Sequence, residues 1–142
     1  MIKLLIGCIM ISITLILGER PEWYPRNASL FEKACLVEND LRPDQWARMR
    51  TMHLEDTPAE RAFLLCLVKT KNVFRPEKGF EAERLRLGLQ QSIKADCDIE
   101  HIEHCKQMYG HLKPDDVMVF QIAKCVCDVK DEKCRKLIKN EL

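Results

Sequence analysis

Cysteine is the residue type whose number and spacing carry most of the chemistry here: eight in 142 residues. At that density thiols become disulfides in an oxidising compartment or metal ligands in a reducing one. The densest set is Cys97, His101, His104 and Cys105. His101 and Cys105, four positions apart, share a helical face, and His104 falls a turn step away. Four converging nitrogen and sulfur donors are what a structural zinc needs. The second set, Cys125-Val126-Cys127, is too tight for a CxxC redox motif and has no βαβ pattern around it. It contributes one or two cysteines to a framework instead. Asp96, Asp98, Glu100 and Glu103 read as a solvated face suited to a helix start. The chain has no phosphate-cradling glycine loop, nucleophile elbow or HExxH. Neither a catalytic residue nor an organic cofactor is therefore expected.

The choice between disulfides and metal turns on the first eighteen residues. Met1-Ile2-Lys3 is a positive start, Leu4 to Leu17 is an apolar run, and Gly18 is a small residue ahead of Glu19-Arg20. That is the layout of a secretory signal peptide cleaved after Gly18. The run falls short of the ~20 residues a spanning helix needs, so no stable membrane insertion is expected. Residues 19–142 form the mature chain, one domain by length. Cys8 leaves with the leader, and seven cysteines remain. An odd count implies a free thiol or an intermolecular bridge that could make an oligomer. The cysteines are therefore expected to be consumed as disulfides outside the cell, with no zinc. Asn27-Ala28-Ser29 is a glycosylation sequon on such a chain, although Asn27 or Ser29 could equally serve as a helix cap. Lys139-Asn140-Glu141-Leu142 resembles the Lys-Asp-Glu-Leu class of ER-retention signals, so retention is a rival to secretion. With 23 basic against 22 acidic residues, no basic cluster and few aromatics, the chain does not suit a nucleic-acid partner.

The elements that must position these residues read as helices throughout. Glu19 to Arg26 is an extended arm. Leu30, Phe31, Ala34, Cys35 and Val37 or Leu41 recur at helical spacing over about three turns. Pro43 and Asp44 start a second helix that carries Trp46, Met49 and His53 on one face. Thr57-Pro58-Ala59-Glu60 predicts a third: Thr57 caps, Pro58 fits the first position, and Glu60 closes a capping box onto the Thr57 amide. Residues Ala62 to Val68 are apolar on nearly all sides, which predicts burial on most of the surface. Asn72 can take the left-handed conformation that ends this helix. A turn at Arg75 to Gly79 leads to an amphipathic stretch from Phe80 to Gln91, with Leu85, Leu89 and Ala82 inward. Ile99, Ile102, Cys105 and Tyr109 mark another helix, closed by Gly110. Pro114-Asp115-Asp116 opens the last long one, carrying Val117, Phe120, Ile122 and Ala123 towards Cys125 and Cys127. A short final segment holds Cys134, Leu137 and Ile138. No alternating strand pattern, hairpin dipeptide or internal repeat occurs. The expected fold class is all-α: a compact, disulfide-linked bundle of about six helices.

The stretch Phe63 to Phe74, with Gly79-Phe80 and Leu85 after it, resembles the insect odorant- and pheromone-binding proteins. Cys35 lies 31 positions before Cys66, Cys105 lies 39 after it, and eight residues separate Cys125 from Cys134. These intervals are similar to those of that superfamily. The likeness is closer to the salivary D-seven proteins of blood-feeding flies. They often lack the second family cysteine, whose place Ala62 takes here, and Asp98 to Cys105 and Pro114 to Cys125 resemble them in order and spacing. The similarity spans roughly residues 30 to 134. Departures are that Phe63 stands where amine-binding members carry a histidine, and that Cys105 to Cys125 exceeds the odorant-carrier spacing.

The resemblance implies a secreted, non-enzymatic carrier that sequesters a small hydrophobic or amphipathic ligand, such as a lipid, eicosanoid or odorant. The candidate lining is Trp46, Met49, Phe63, Leu67, Leu89, Met118, Phe120 and Ile122, each of which could instead simply pack the core. Arg48, Arg50 or Lys69 could supply a cation for a ligand carboxylate. A Cys35–Cys66 bridge would staple the first helix to the third, and the family pattern offers Cys105 either Cys125 or Cys134. The rivals are a salivary protein of the same fold that binds a host or receptor protein through its surface, and an ER-retained helical factor.

Overall fold

The computed structural model describes residues 19–128 and Cys134. The leader 1–18, the last segment with Leu137 and Ile138, and the terminal Lys139-Asn140-Glu141-Leu142 lie outside the described residues. Six helices follow in order: α1 Ala28–Glu38, α2 Pro43–Arg50, α3 Pro58–Thr70, α4 Ala82–Ile93, α5 Ile99–Tyr109 and α6 Asp115–Cys127. The all-α bundle is therefore what forms, with one addition. The turn between α3 and α4 closes into a two-residue antiparallel ladder, β1 (Phe74–Arg75) and β2 (Gly79–Phe80), pairing Phe74 with Phe80. Two residues per strand are too few to leave an alternating pattern in the sequence. Gly79, at φ +77°, makes the reversal possible.

Helix α3 is the centre of the packing, lying against both α1 and α6, while α5 joins α6 to α4. Thr57 caps α3 by accepting the Glu60 amide at 3.2 Å. The other half of the expected capping box does not form. The Glu60 carboxylate turns inward, fully buried, taking the Arg48 guanidinium on one oxygen and the Glu55 amide, at 2.9 Å, on the other. Beyond the C-terminal end of α3, Asn72 is left-handed at φ +60° and its amide donates to the Trp23 carbonyl at 2.8 Å. The Arg84 guanidinium sits 4.7 Å over the Trp23 ring. These contacts pin the arm so that Tyr24 is buried, its ring 3.7 Å from the Cβ position of Gly88.

Helix α1 forms where its periodicity predicts, but its rotation differs from the apolar pattern. Cys35 is buried, and Leu41 just past the helix is nearly so, whereas Leu30, Phe31 and Val37 face solvent. The cause is covalent: Cys35 is bonded to Cys66 on α3. At 3.6 residues per turn, Leu30 and Val37 then lie about 140° and 160° around the helix from Cys35. Two further bridges, Cys97–Cys134 and Cys105–Cys125, tie the α4–α5 loop to the C-terminal segment and α5 to α6.

Candidate functional site

Disulfides dispose of the first chemical candidate. Cys97 is bonded to Cys134, and His104 is exposed, so the four donors Cys97, His101, His104 and Cys105 do not converge. His101 does approach the Cys105–Cys125 bridge: its Nε2 is 3.3 Å from Cys105 Sγ and 3.1 Å from the Cys125 carbonyl. Both sulfurs there are held in the disulfide, which takes away the thiolates a metal would need. The Cys97–Cys134 bridge was not expected, because spacing alone does not say which of two distant cysteines meet.

The site the fold does build is a cavity of about 220 Å³. Helix α2 contributes Trp46, Met49 and Arg50, and the loop after it Met52 and Leu54. Helix α3 supplies Leu64, Leu67, Val68 and the following Lys71; the β-turn region adds Val73 and Phe80. Helix α4 closes one side with Leu85, Gly88, Leu89, Ser92 and Ile93, and α6 another with Val119, Ala123, Val126 and Cys127. Glu32 is the single α1 residue on the wall. The apolar run of α3 thus walls an open cavity, and Leu64, Leu67 and Val68 are partly buried on the helix whose surface the sequence predicted to be mostly buried.

Of the eight candidate lining residues, Trp46, Met49, Leu67 and Leu89 lie on this wall. Phe63, Met118, Phe120 and Ile122 do not. They are buried behind it, and Phe63 holds Trp46 edge-to-face with ring centroids 5.3 Å apart. On α3 and α4 periodicity gave Leu67 and Leu89, while Leu64, Val68, Gly88, Ser92 and Ile93 on the same helices were not among the expected lining. Val119, Ala123 and Val126 on α6 were missed because that helix is apolar on several faces, and only tertiary contact selects one. Met52, Leu54 and Val73 sit in loops, where no periodicity marks them.

Polar groups on the wall are few. Lys71 and Glu32 form an ion pair at 3.2 Å across the α1–α3 junction. The Tyr24 hydroxyl beside them is raised above the usual tyrosine range, first by burial and then by the charge on Glu32, with a Ser92 hydrogen bond pulling the other way. Arg50 reaches over the Trp46 ring at 5.9 Å. Of the three candidate cations, Arg50 alone lines the cavity. Arg48 is held by Glu60, Glu55 and the His53 carbonyl, and Lys69 is exposed over Phe74. Cys127, the one free thiol among the described residues, lies on the wall, and burial of its sulfur, with Asp128 adding, pushes it up to about 12. No helix among the described residues is long and apolar enough to cross a membrane.

Comparison with known proteins agrees with this architecture. Residues 24–129 match the PBP/GOBP family. Among solved structures the fold is similar to odorant binding protein 7 from Anopheles gambiae, a chain with four disulfide bridges determined in complex with an azo compound. The superposition has a TM-score of 0.56 at 16% identity and covers 85% of this chain and 96% of that one. No curated protein matches the chain.

Proposed function

The chain belongs to the PBP/GOBP family, within the insect odorant-binding superfamily, and from that premise we propose that it is a secreted carrier that sequesters one small amphipathic molecule. The observation that carries this reading is the cavity between α2, α3, α4 and α6, apolar except for Arg50, Ser92 and the Glu32–Lys71 pair. An apolar cavity of ~150 Å³ takes up benzene, so about 220 Å³ has room for a larger ring or a short chain. Transfer of apolar ligand surface out of water supplies the affinity, at about 25 cal/mol per Å². The few polar groups then choose among apolar molecules. No bond is made or broken: loading and release are the whole function.

The finer reading favours a lipid, eicosanoid or odorant over a biogenic amine. Phe63 in place of a histidine removes one polar group from the region of Trp46. Arg50, which reaches over that ring and forms no ion pair among the described residues, is the cation open to a ligand carboxylate. A carboxylate buried without such a partner would be expensive. The salivary branch is the proposed subgroup, on Ala62 at the missing cysteine. Secretion accords with three disulfides, which persist in oxidising compartments.

Calorimetry of the delipidated protein against fatty acids, eicosanoids, serotonin and histamine tests the ligand class. Saturable one-to-one binding of at least one lipid is expected. Tight binding of an amine with no lipid bound would overturn the lipid reading, and binding of nothing would favour the surface-interaction rival. For location, expression in animal cells should deliver to the medium a chain lacking residues 1–18. Intracellular retention relieved by deleting Leu142 would instead make it an ER-resident protein.

A further inference from the structure

The sequon Asn27-Ala28-Ser29 is not absorbed by the carrier function, and the structure removes its other explanation. Asn27 occupies the cap position of α1, yet its side chain makes no capping hydrogen bond, and both Asn27 and Ser29 are exposed. An asparagine retained for capping would accept an amide from the first turn. A second observation meets it on the same face. Leu30, Phe31 and Val37 are 60%, 40% and 78% exposed, with Ala34 exposed between them. The Asn27 carbonyl accepts the Leu30 and Phe31 amides at 3.0 and 3.2 Å, so those residues stand one turn above it. Helical side chains lean towards the N-terminus, which tilts Leu30 and Phe31 over Asn27.

We propose that Asn27 carries an N-linked glycan whose first sugars lie along α1 and cover the apolar stripe of Leu30, Phe31, Ala34 and Val37. In the transfer, Asn27 Nδ2 bonds to the anomeric carbon of an oligosaccharide held on a lipid diphosphate. The bond from that carbon to the diphosphate oxygen breaks, the lipid diphosphate leaves, and the amide nitrogen loses one proton. The C–H faces of the sugars meet the apolar stripe while their hydroxyls stay in water, so a face that would otherwise promote association is solubilised. Glu32, the one α1 residue on the cavity wall, lies about 100° or more around the helix from each of these four residues, which leaves the cavity side of α1 to the ligand. The inference is independent of the ligand reading.

The test is the full chain secreted from insect cells. Intact mass should exceed the peptide mass by a glycan, and peptide-N-glycosidase should remove it, converting Asn27 to aspartate. Ser29→Ala, which keeps the asparagine, and Asn27→Gln should both abolish the added mass. Hydroxyl-radical footprinting then reads the cover: Leu30 and Phe31 should be modified severalfold faster in enzymatically deglycosylated and Ser29→Ala protein than in the glycosylated form. An unmodified Asn27 in the cell-made protein would overturn the site. A glycosylated protein with unchanged footprinting after deglycosylation would overturn the covering of the stripe.

Discussion

Glu60 shows how one side chain can serve two elements. Among the described residues it is the single buried charged side chain, and its oxygens are met by Arg48 from α2 and by the Glu55 amide. A buried ion pair adds little over an apolar pair of the same shape, but leaving one member unpartnered is costly. Arg48→Met should therefore destabilise the protein by about 3 kcal/mol, the low end for a buried pair because the Arg48 end reaches water. Glu60→Gln should cost less, since no buried charge is left and the amide oxygen still accepts one of the two donors, and the double change to methionine should recover most of the loss. Urea unfolding of the four proteins checks the order, and an unchanged midpoint for Arg48→Met would mean that the pair does not hold α2. The sequence could not show this partnership. A threonine followed three residues later by glutamate is a local capping pattern, whereas the residue that captures Glu60 lies twelve positions earlier on another helix.

Cys127 is the second residue with a measurable signature. Its thiol is pushed from 9.0 up to about 12 by burial, and only the thiolate reacts quickly. At pH 8 native Cys127 should alkylate roughly a thousandfold more slowly than in the unfolded chain, as the difference in thiolate fraction requires. The sign for stability follows. Below pH about 9 the thiol is neutral in both states; above it the unfolded thiol ionises first, so this contribution is lost as pH rises from about 9 towards about 12. Mass spectrometry after timed iodoacetamide exposure should find native Cys127 unmodified, then modified once denaturant is added. Fast native labelling would place the sulfur in solvent.

At the scale of elements, the helices were legible where their signals are local. Thr57-Pro58 opens α3, Asn72 follows it in the left-handed conformation, and Pro43 opens α2. What the sequence could not supply is each helix's rotation about its own axis, and the two helices that differ show why. On α1 the cross-link from Cys35 to Cys66 overrides the apolar pattern and turns Leu30 and Val37 outward. On α3 the apolar run looks like a core helix, but one of its sides faces a cavity rather than a neighbouring side chain. The α1–α3 staple closes a span of 31 residues. The double change of Cys35 and Cys66 to alanine should cost about 3–4 kcal/mol, chiefly by freeing the unfolded chain. Chemical denaturation under non-reducing conditions measures this, and a loss below about 1 kcal/mol would indicate that packing alone sets the rotation of α1.

At the scale of the whole molecule, the fold is a shell: three disulfides and the pinned N-terminal arm surround a space that four helices leave unfilled. Half of the candidate lining was legible because Trp46, Met49, Leu67 and Leu89 fall on periodic faces. The other half, Phe63, Met118, Phe120 and Ile122, shares the same periodicity and lies behind the wall. Composition alone does not separate a residue that packs a core from one that lines a cavity. The central claim is that the space is kept for a ligand, and a substitution that fills it tests this most directly. Ala123 lines the cavity from α6, and Ala123→Phe puts a ring where the ligand would lie. The delipidated wild-type protein should bind the apolar fluorescent probe N-phenyl-1-naphthylamine one-to-one, with quenching of Trp46, while Ala123→Phe should fold, unfold at a higher temperature and bind none. Equal probe binding by both proteins would contradict the account, because the apolar site would then lie outside this cavity.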